Sequence, residues 1–212
     1  MKRGNVFVSG ILAGMSIALG GTVYLSLDSK VLGALFFTVG LFVVCSFDLS
    51  LFTGKVCYVF QNDFSYAARL PVIWLGNLIG TAVVAALVRF SRIASVAEKA
   101  MSMCQVKTAD SLLSLFLLGV LCNILIYIAV EGYKNNPHEL GKYLALFFGV
   151  TVFILSGTEH CVADMYYFWV AGAWNGRAVL CILVITLGNC VGGILFPLLR
   201  GWTIIKQKIK SE

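Results

Sequence analysis

Apolar residues run along this chain in six long stretches separated by short polar segments. Stretches 6–27, 70–88, 111–130 and 178–199 are nearly continuous. Each approaches or exceeds the roughly 20 residues that a helix needs to cross a ~30 Å hydrocarbon layer. Stretches 31–60 and 141–173 are longer, and polar residues interrupt both. The first contains Asp48, Ser50, Thr53, Gly54 and Lys55; the second contains Ser156-Gly157-Thr158-Glu159-His160. The pattern predicts an all-α membrane protein with six transmembrane helices, of which the second and fifth are broken. Broken backbone at membrane depth is tolerated only where protein buries it or where it lines a polar cavity.

Composition narrows the reading further. Apolar residues make up 59% of the 212 positions and charged residues 12%, with a mean hydropathy of +0.91. An ordinary soluble domain is roughly 25% charged, so a soluble fold, a disordered chain and a secreted disulfide scaffold are excluded. The net charge of +6 would hint at nucleic acid in a soluble protein. Here the cations flank the apolar stretches without a basic–aromatic stripe, and no nucleic-acid partner is expected. Six spans put both termini on one side, with Lys2, Arg3, Arg69, Lys134, Lys142, Arg200, Lys206, Lys208 and Lys210. The other side holds Lys30, Arg89, Arg92, Lys99, Lys107 and Arg177. The excess predicts cytoplasmic termini in an inner or plasma membrane, with 200–212 as a basic cytoplasmic tail. No cleavable leader stands out, because the first apolar stretch is long enough to span. Cys45, Cys122, Cys161, Cys181 and Cys190 lie within apolar stretches and read as small reduced core residues.

The two halves resemble each other. Leu75-Gly76-Asn77-Leu78-Ile79-Gly80 recurs as Leu187-Gly188-Asn189-Cys190-Val191-Gly192, and Ala34-Leu35-Phe36-Phe37 recurs as Ala145-Leu146-Phe147-Phe148. Phe7 and Gly10 align with Phe116 and Gly119. The matches keep one order and nearly one offset, which indicates duplication, with repeat one near 5–90 and repeat two near 109–199 of a single domain, 1–212. Three spans per repeat is an odd number, so the second copy must enter the membrane from the opposite face. That predicts an inverted 3+3 repeat whose interrupted spans meet near the midplane, where a solute site is expected.

Chemistry concentrates in the interruptions. Glu159 and His160 are ionisable at a depth where charge costs at least a few kcal/mol. Histidine can exchange a proton near neutrality, its unperturbed pKa being about 6.5. Glu159 fits a brace for the break better than a solute contact. In the first interruption, Gly54 is expected to permit the bend and Thr53 to supply a hydroxyl. Leu51 and Phe52 form either a constriction or plain core. Lys55 either attracts anions or snorkels to the interface. Asn77, Asn123 and Asn189 are polar residues in apolar spans; interhelical hydrogen bonds beside Gly76, Gly80, Gly188, Gly192 and Gly193 account for Asn77 and Asn189. Two histidines cannot build a histidine-rich metal site, and no cofactor motif is present.

Together these segments resemble the formate/nitrite transporter family: LFTGKV at 51–56, LGNLIG at 75–80, LCNILI at 121–126, SGTEHCVADM at 156–165 and LGNCVGG at 187–193. The resemblance covers nearly the whole chain. It implies an aquaporin-like protomer, a homopentamer in the lipid bilayer with one pore per chain, and passage of small monovalent anions or their conjugate acids. It also implies a central pore site of His160, Thr53 and Asn123. The family's outer-vestibule lysine falls on Lys107, which becomes an anion attractor. The inner constriction falls on Leu51, Phe52 and Ile126, and the outer one on Phe153 with Leu41 as its span-two partner.

Four departures stand out. Ser50 occupies a position where many members carry an acid, and Asp48 lies two residues earlier. Lys55 follows the Thr-Gly pair where a neutral residue is common. Asp164 stands where asparagine is common. Residues 1–5 are too few for a long gating helix. These features point to a branch other than the formate channels, with hydrosulfide a candidate substrate beside formate, nitrite, acetate and lactate.

A bare anion faces a large desolvation cost in an apolar ring, and a neutral weak acid much less. The expected mechanism is proton-coupled passage, with the histidine either giving the proton or polarising the site. A channel for a neutral small solute is the alternative; the absence of a paired Asn-Pro-Ala signature weighs against it. A membrane enzyme using Glu159 and His160 lacks a nucleophile, a metal constellation and a cofactor motif.

Overall fold

The computed structural model describes residues 5–211, with side chains up to Trp202. Lys2, Arg3, Lys206, Lys208 and Lys210, which carried much of the charge argument for the termini, lie outside the described residues or side chains. The described chain is helical, without strands.

Capping residues start most of the helices. Asn5 accepts from the amides of Phe7 and Val8 to open α1 (Val6–Ser26), and Ser29 accepts from Leu32 to open α2 (Lys30–Ser46). A short α3 (Phe52–Val56) and a 3-10 turn (Val59–Gln61) follow. Asp63 caps α4 (Phe64–Ala67), and Pro71 sits in the first turn of α5 (Leu70–Arg89), where its missing N–H costs nothing. A connecting helix, α6 (Val96–Ala109), leads to α7 (Leu112–Asn135), capped by Ser111. Then come α8 (Glu139–Leu155), α9 (Cys161–Ala171) and α10 (Gly176–Ser211). Gly172, in the left-handed conformation, ends α9.

Four helical stretches are long and apolar enough to cross a membrane: Val6–Ser26, Phe64–Arg89, Leu112–Asn135 and Gly176–Trp202. The chain is therefore a multi-pass membrane protein. The remaining two apolar stretches do not form single spanning helices. Stretch 31–60 divides into α2 and α3, and 141–173 divides into α8 and α9.

The division has a local cause in each case. Asp48 (φ 48°) and Gly157 (φ 68°) take the left-handed conformation just beyond α2 and α8. Aspartate is among the few non-glycine residues that visit this region readily. This corrects the role expected of Gly54, which lies inside α3 and needs no special conformation. A Cβ there would meet nothing closer than Val130 at 3.7 Å.

Helix packing places the short helices at the centre. α1 lies against α5 and α2, and α7 lies against α10 and α8, while α2 and α8 meet each other. α9 packs on α5, α6, α1 and α10, and α3 packs on α10, α7 and α5. Each short helix is thus seated between the two halves of the chain. Several backbone approaches are close enough to require glycine, Gly80 and Gly188 among them. A Cβ on Gly80 would stand 2.0 Å from the carbonyl oxygen of Ile11, and one on Gly188 would stand 2.2 Å from that of Phe116. Such contacts draw helices together without a solvent-driven hydrophobic term. Large apolar side chains such as Phe36, Leu87 and Leu183 point outward. The seven cysteines are all unpaired.

Candidate functional site

Two asparagines hold the breaks. Asn77 Nδ2 donates to the carbonyls of Gly10 (2.7 Å) and Ser50 (3.0 Å), and its Oδ1 accepts from the amide of Phe52 (2.9 Å). Asn189 Nδ2 donates to the carbonyls of Gly119 (2.8 Å) and Glu159 (2.9 Å), and its Oδ1 accepts from the amide of Cys161 (2.9 Å). Both are fully buried. Each therefore satisfies the first amide of the short helix, which a helix start leaves unpaired, and a carbonyl of the non-helical segment before it. The interhelical bonding expected of these residues is present, and it is aimed at the breaks.

The breaks bring Thr53 and His160 together. Thr53 is on the first turn of α3, and His160 is the N-cap of α9. The Thr53 hydroxyl and His160 Nε2 are 2.9 Å apart. His160 Nδ1 accepts from the amide of Ala163 at 3.1 Å. A neutral ring bonded this way carries its proton on Nε2 and donates to Thr53 Oγ1. The ring stacks on Phe153, with centroids 5.7 Å apart and planes inclined by 19°.

Asn123 lies behind this pair. Its Nδ2 donates to the carbonyls of Thr53 (3.1 Å) and Asn189 (2.7 Å), which links the first break to the brace of the second. Its Oδ1 is buried without a hydrogen-bond partner.

Cavities approach the site from opposite ends of α2. One, of about 240 Å³, is lined by Lys30, Phe37, Lys107, Phe153, Glu159, His160 and Asp164 among others. The other is a throat of about 30 Å³ bounded by Leu41, Leu51, Gly54, Lys55, Val130 and Lys134. It shares Asp48, Lys55 and Lys134 with a wider mouth of about 740 Å³. No residue lines both the histidine cavity and the throat.

The structure revises the pairing of the constrictions. Phe153 meets Phe37 edge-on, with ring centroids 6.0 Å apart, and both border the histidine cavity. Leu41, expected as the partner of Phe153, instead borders the throat beside Leu51. Phe37 precedes Leu41 by one helical turn, an axial step of about 6 Å. Phe52 and Ile126 are buried but line neither cavity.

The charged groups are more tightly paired than their sequence positions suggest. Lys107, 7% exposed, forms ion pairs with both Glu159 and Asp164, the latter at 2.9 Å. Burial disfavours its charge. The two carboxylates outweigh that effect and hold the ammonium well above its ordinary pKa. Lys107 is thus no free cation in the vestibule. Lys55 pairs with Asp48 at 3.2 Å, so the unusual lysine and the left-handed aspartate act as partners. Two residues escaped the sequence reading of the site, Phe37 and Asp164. Asp164 had an available signal: it lies four residues after His160, where a helix returns to the same face.

Comparison with known proteins fits this geometry. The family model described as "Formate/nitrite transporter" matches residues 1–203. The nitrite transporter NirC of Salmonella typhimurium is 30% identical over 223 aligned positions, covering 92% of this chain and 81% of NirC. The formate channel FocA of Haemophilus influenzae is 28% identical over 181 positions, covering 76% of this chain and 64% of FocA. A solved "FNT family ion channel" superposes with a TM-score of 0.83 at 28% identity, over 93% of this chain and 89% of that one. A "Pentameric formate channel with formate bound" gives 0.78 at 25% identity, over 94% and 96% of the two chains.

Proposed function

Because the chain belongs to the formate/nitrite transporter family, we propose that it is a channel or transporter for a small monovalent anion or its conjugate acid, working as a homopentamer with one pore per chain. The observation that carries this reading is the Thr53–His160 contact, set where two cavities approach one another across about one turn of α2.

The protomer is an aquaporin-like inverted 3+3 repeat, with α2–α3 and α8–α9 as its broken spans. The equivalent bonds of Asn77 and Asn189 support it, as do the left-handed residues at Asp48 and Gly157, 109 positions apart as are Gly10 and Gly119. Both termini face the cytoplasm. The Lys107 cavity is then external, and the mouth containing Lys55 and Lys134 is internal.

Passage is proton-coupled. Phe37 and Phe153 on one side, and Leu41 and Leu51 on the other, form apolar gates at which desolvation penalises a bare anion and admits a neutral acid. Between them, Thr53, His160 and the unpartnered Asn123 Oδ1 form the polar site. His160 acts as a neutral ring. A second proton would have to sit on Nδ1, opposite the Ala163 N–H that now donates to it, and would uncap α9. The ring therefore polarises the solute through Thr53. Lys134, and Lys55 whose partner Asp48 is largely solvent-exposed and so compensates it only weakly, gather anions at the internal mouth.

The reading is tested in proteoliposomes by two assays run in parallel. Formate, nitrite, hydrosulfide, acetate and lactate are presented in turn to vesicles holding a pH dye, and swelling is followed in glycerol. A pH change with one or more anions, without swelling, is expected. Swelling without a pH response to any anion would replace this reading with a neutral-solute channel.

A further inference from the structure

The Lys107–Glu159–Asp164 cluster places two carboxyl groups on one ammonium in a nearly dry setting. The three side chains are 8%, 9% and 2% exposed, in that order. If all were ionised the cluster would carry one uncompensated negative charge, and removing an unpaired charge from water is expensive. Its other titratable neighbours are Cys104 of α6, Cys122 of α7, His160, Tyr167 of α9, Cys181 of α10, and Tyr24 and Lys30 at the cavity wall. Among these only Lys30 adds a fixed positive charge, and its Nζ is directed to the Leu155 carbonyl.

Two further observations locate what is missing. Asp164 Oδ2 is buried and accepts no hydrogen bond. Glu159 and Asp164 also converge on the one Lys107 ammonium, which brings their carboxyl groups together. Two carboxyl groups so placed repel each other when both are ionised, and one shared proton relieves that repulsion, as in other paired carboxyl sites.

We propose that Glu159 and Asp164 share one exchangeable proton, balanced against Lys107, at the wall of the cavity that leads to His160. The cluster is then neutral. It is a proton-binding site, not an anion attractor. Resting on the transport reading above, it also supplies the proton that accompanies the solute. The O–H bond to the shared carboxyl breaks, an O–H or S–H bond to the anion forms, and the carboxylate is reprotonated from water in the cavity. This assigns the proton to Asp164 and Glu159 and leaves His160 neutral throughout.

Infrared spectra of the purified full chain in lipid test the site independently of transport. A carboxylic-acid carbonyl band at neutral pH is expected, shifted in deuterium oxide and lost in Asp164→Asn. Lys107→Met removes the ammonium and is expected to enlarge the band, since both carboxyls then require protons. Absence of the band in the unmodified protein, or its survival in Asp164→Asn, would overturn the proposal. In proteoliposomes, Asp164→Asn is expected to lose the anion-driven pH change at neutral pH and to regain it in acid, where the solute arrives protonated. An unaltered pH profile would also overturn the proposal. If the band behaves as expected while unmodified vesicles respond to no anion, the proton site stands and the transport reading fails.

Discussion

Replacing Asn189 with leucine removes three hydrogen bonds at once while keeping the branched shape and the heavy-atom count of the side chain. The carbonyls of Gly119 and Glu159 lose their donor, and the Cys161 amide loses its acceptor, all at distances of 2.8–2.9 Å in a fully buried setting. Each bond contributes about 1 kcal/mol net in soluble proteins, and about 0.6 kcal/mol on average between membrane helices. Three together give a loss of about 2–3 kcal/mol. At about 2–4 °C per kcal/mol for a domain of 150–250 residues, the melting temperature should fall by about 4–12 °C. The damage should also be local. The Glu159 carbonyl and the Cys161 amide flank His160, so the histidine loses its register against Thr53 and flux should fall in molecules that remain folded. Thermal unfolding of the purified protein, followed by size-exclusion elution and liposome flux, measures both effects. Asn189→Leu with an unchanged melting temperature and unchanged flux would refute the brace. Asn77→Leu should behave alike, because it makes the same three bonds to the other break.

Gly188→Ala should abolish or strongly reduce folded protein, since its Cβ would stand 2.2 Å from the Phe116 carbonyl oxygen, while Gly176→Ala, with nothing within 4 Å, should be tolerated; yield of monodisperse protein compares them. Phe37→Ala should widen the histidine-side gate and raise passage of larger acids such as lactate over formate. Leu41→Ala should act on the throat instead, so a cysteine-directed or size-exclusion probe applied from each face should distinguish the two variants.

The helical class, the two interrupted stretches and the duplicated segments were legible because apolar run length and repeated motifs are properties of the linear chain. The asparagine braces were half legible. Asn77 and Asn189 stood out as polar residues in apolar spans, but their targets at Ser50 and Glu159 depend on how the breaks fold. The bend itself was misplaced. Glycine at position 54 suggested it, whereas the left-handed turn falls on Asp48, whose charge is matched by Lys55. The residue that meets Phe153 is Phe37, one turn from the expected Leu41, since helix periodicity places both residues near one face and does not fix depth along the axis. The Lys107 cluster was illegible for a different reason. Its carboxylates lie 52 and 57 positions further along the chain, and only the docking of α6 against α9 joins them.

The proposed passage of a weak acid rests on His160 and Thr53 as its polar site. The most direct measurement is the anion-driven change in internal pH for the unmodified protein and for His160→Asn, recorded across outer pH in matched proteoliposomes. A response to at least one small monovalent anion is expected, stronger in acid, and reduced or altered in selectivity in His160→Asn. Equal flux with an unaltered pH dependence in the two proteins would contradict it.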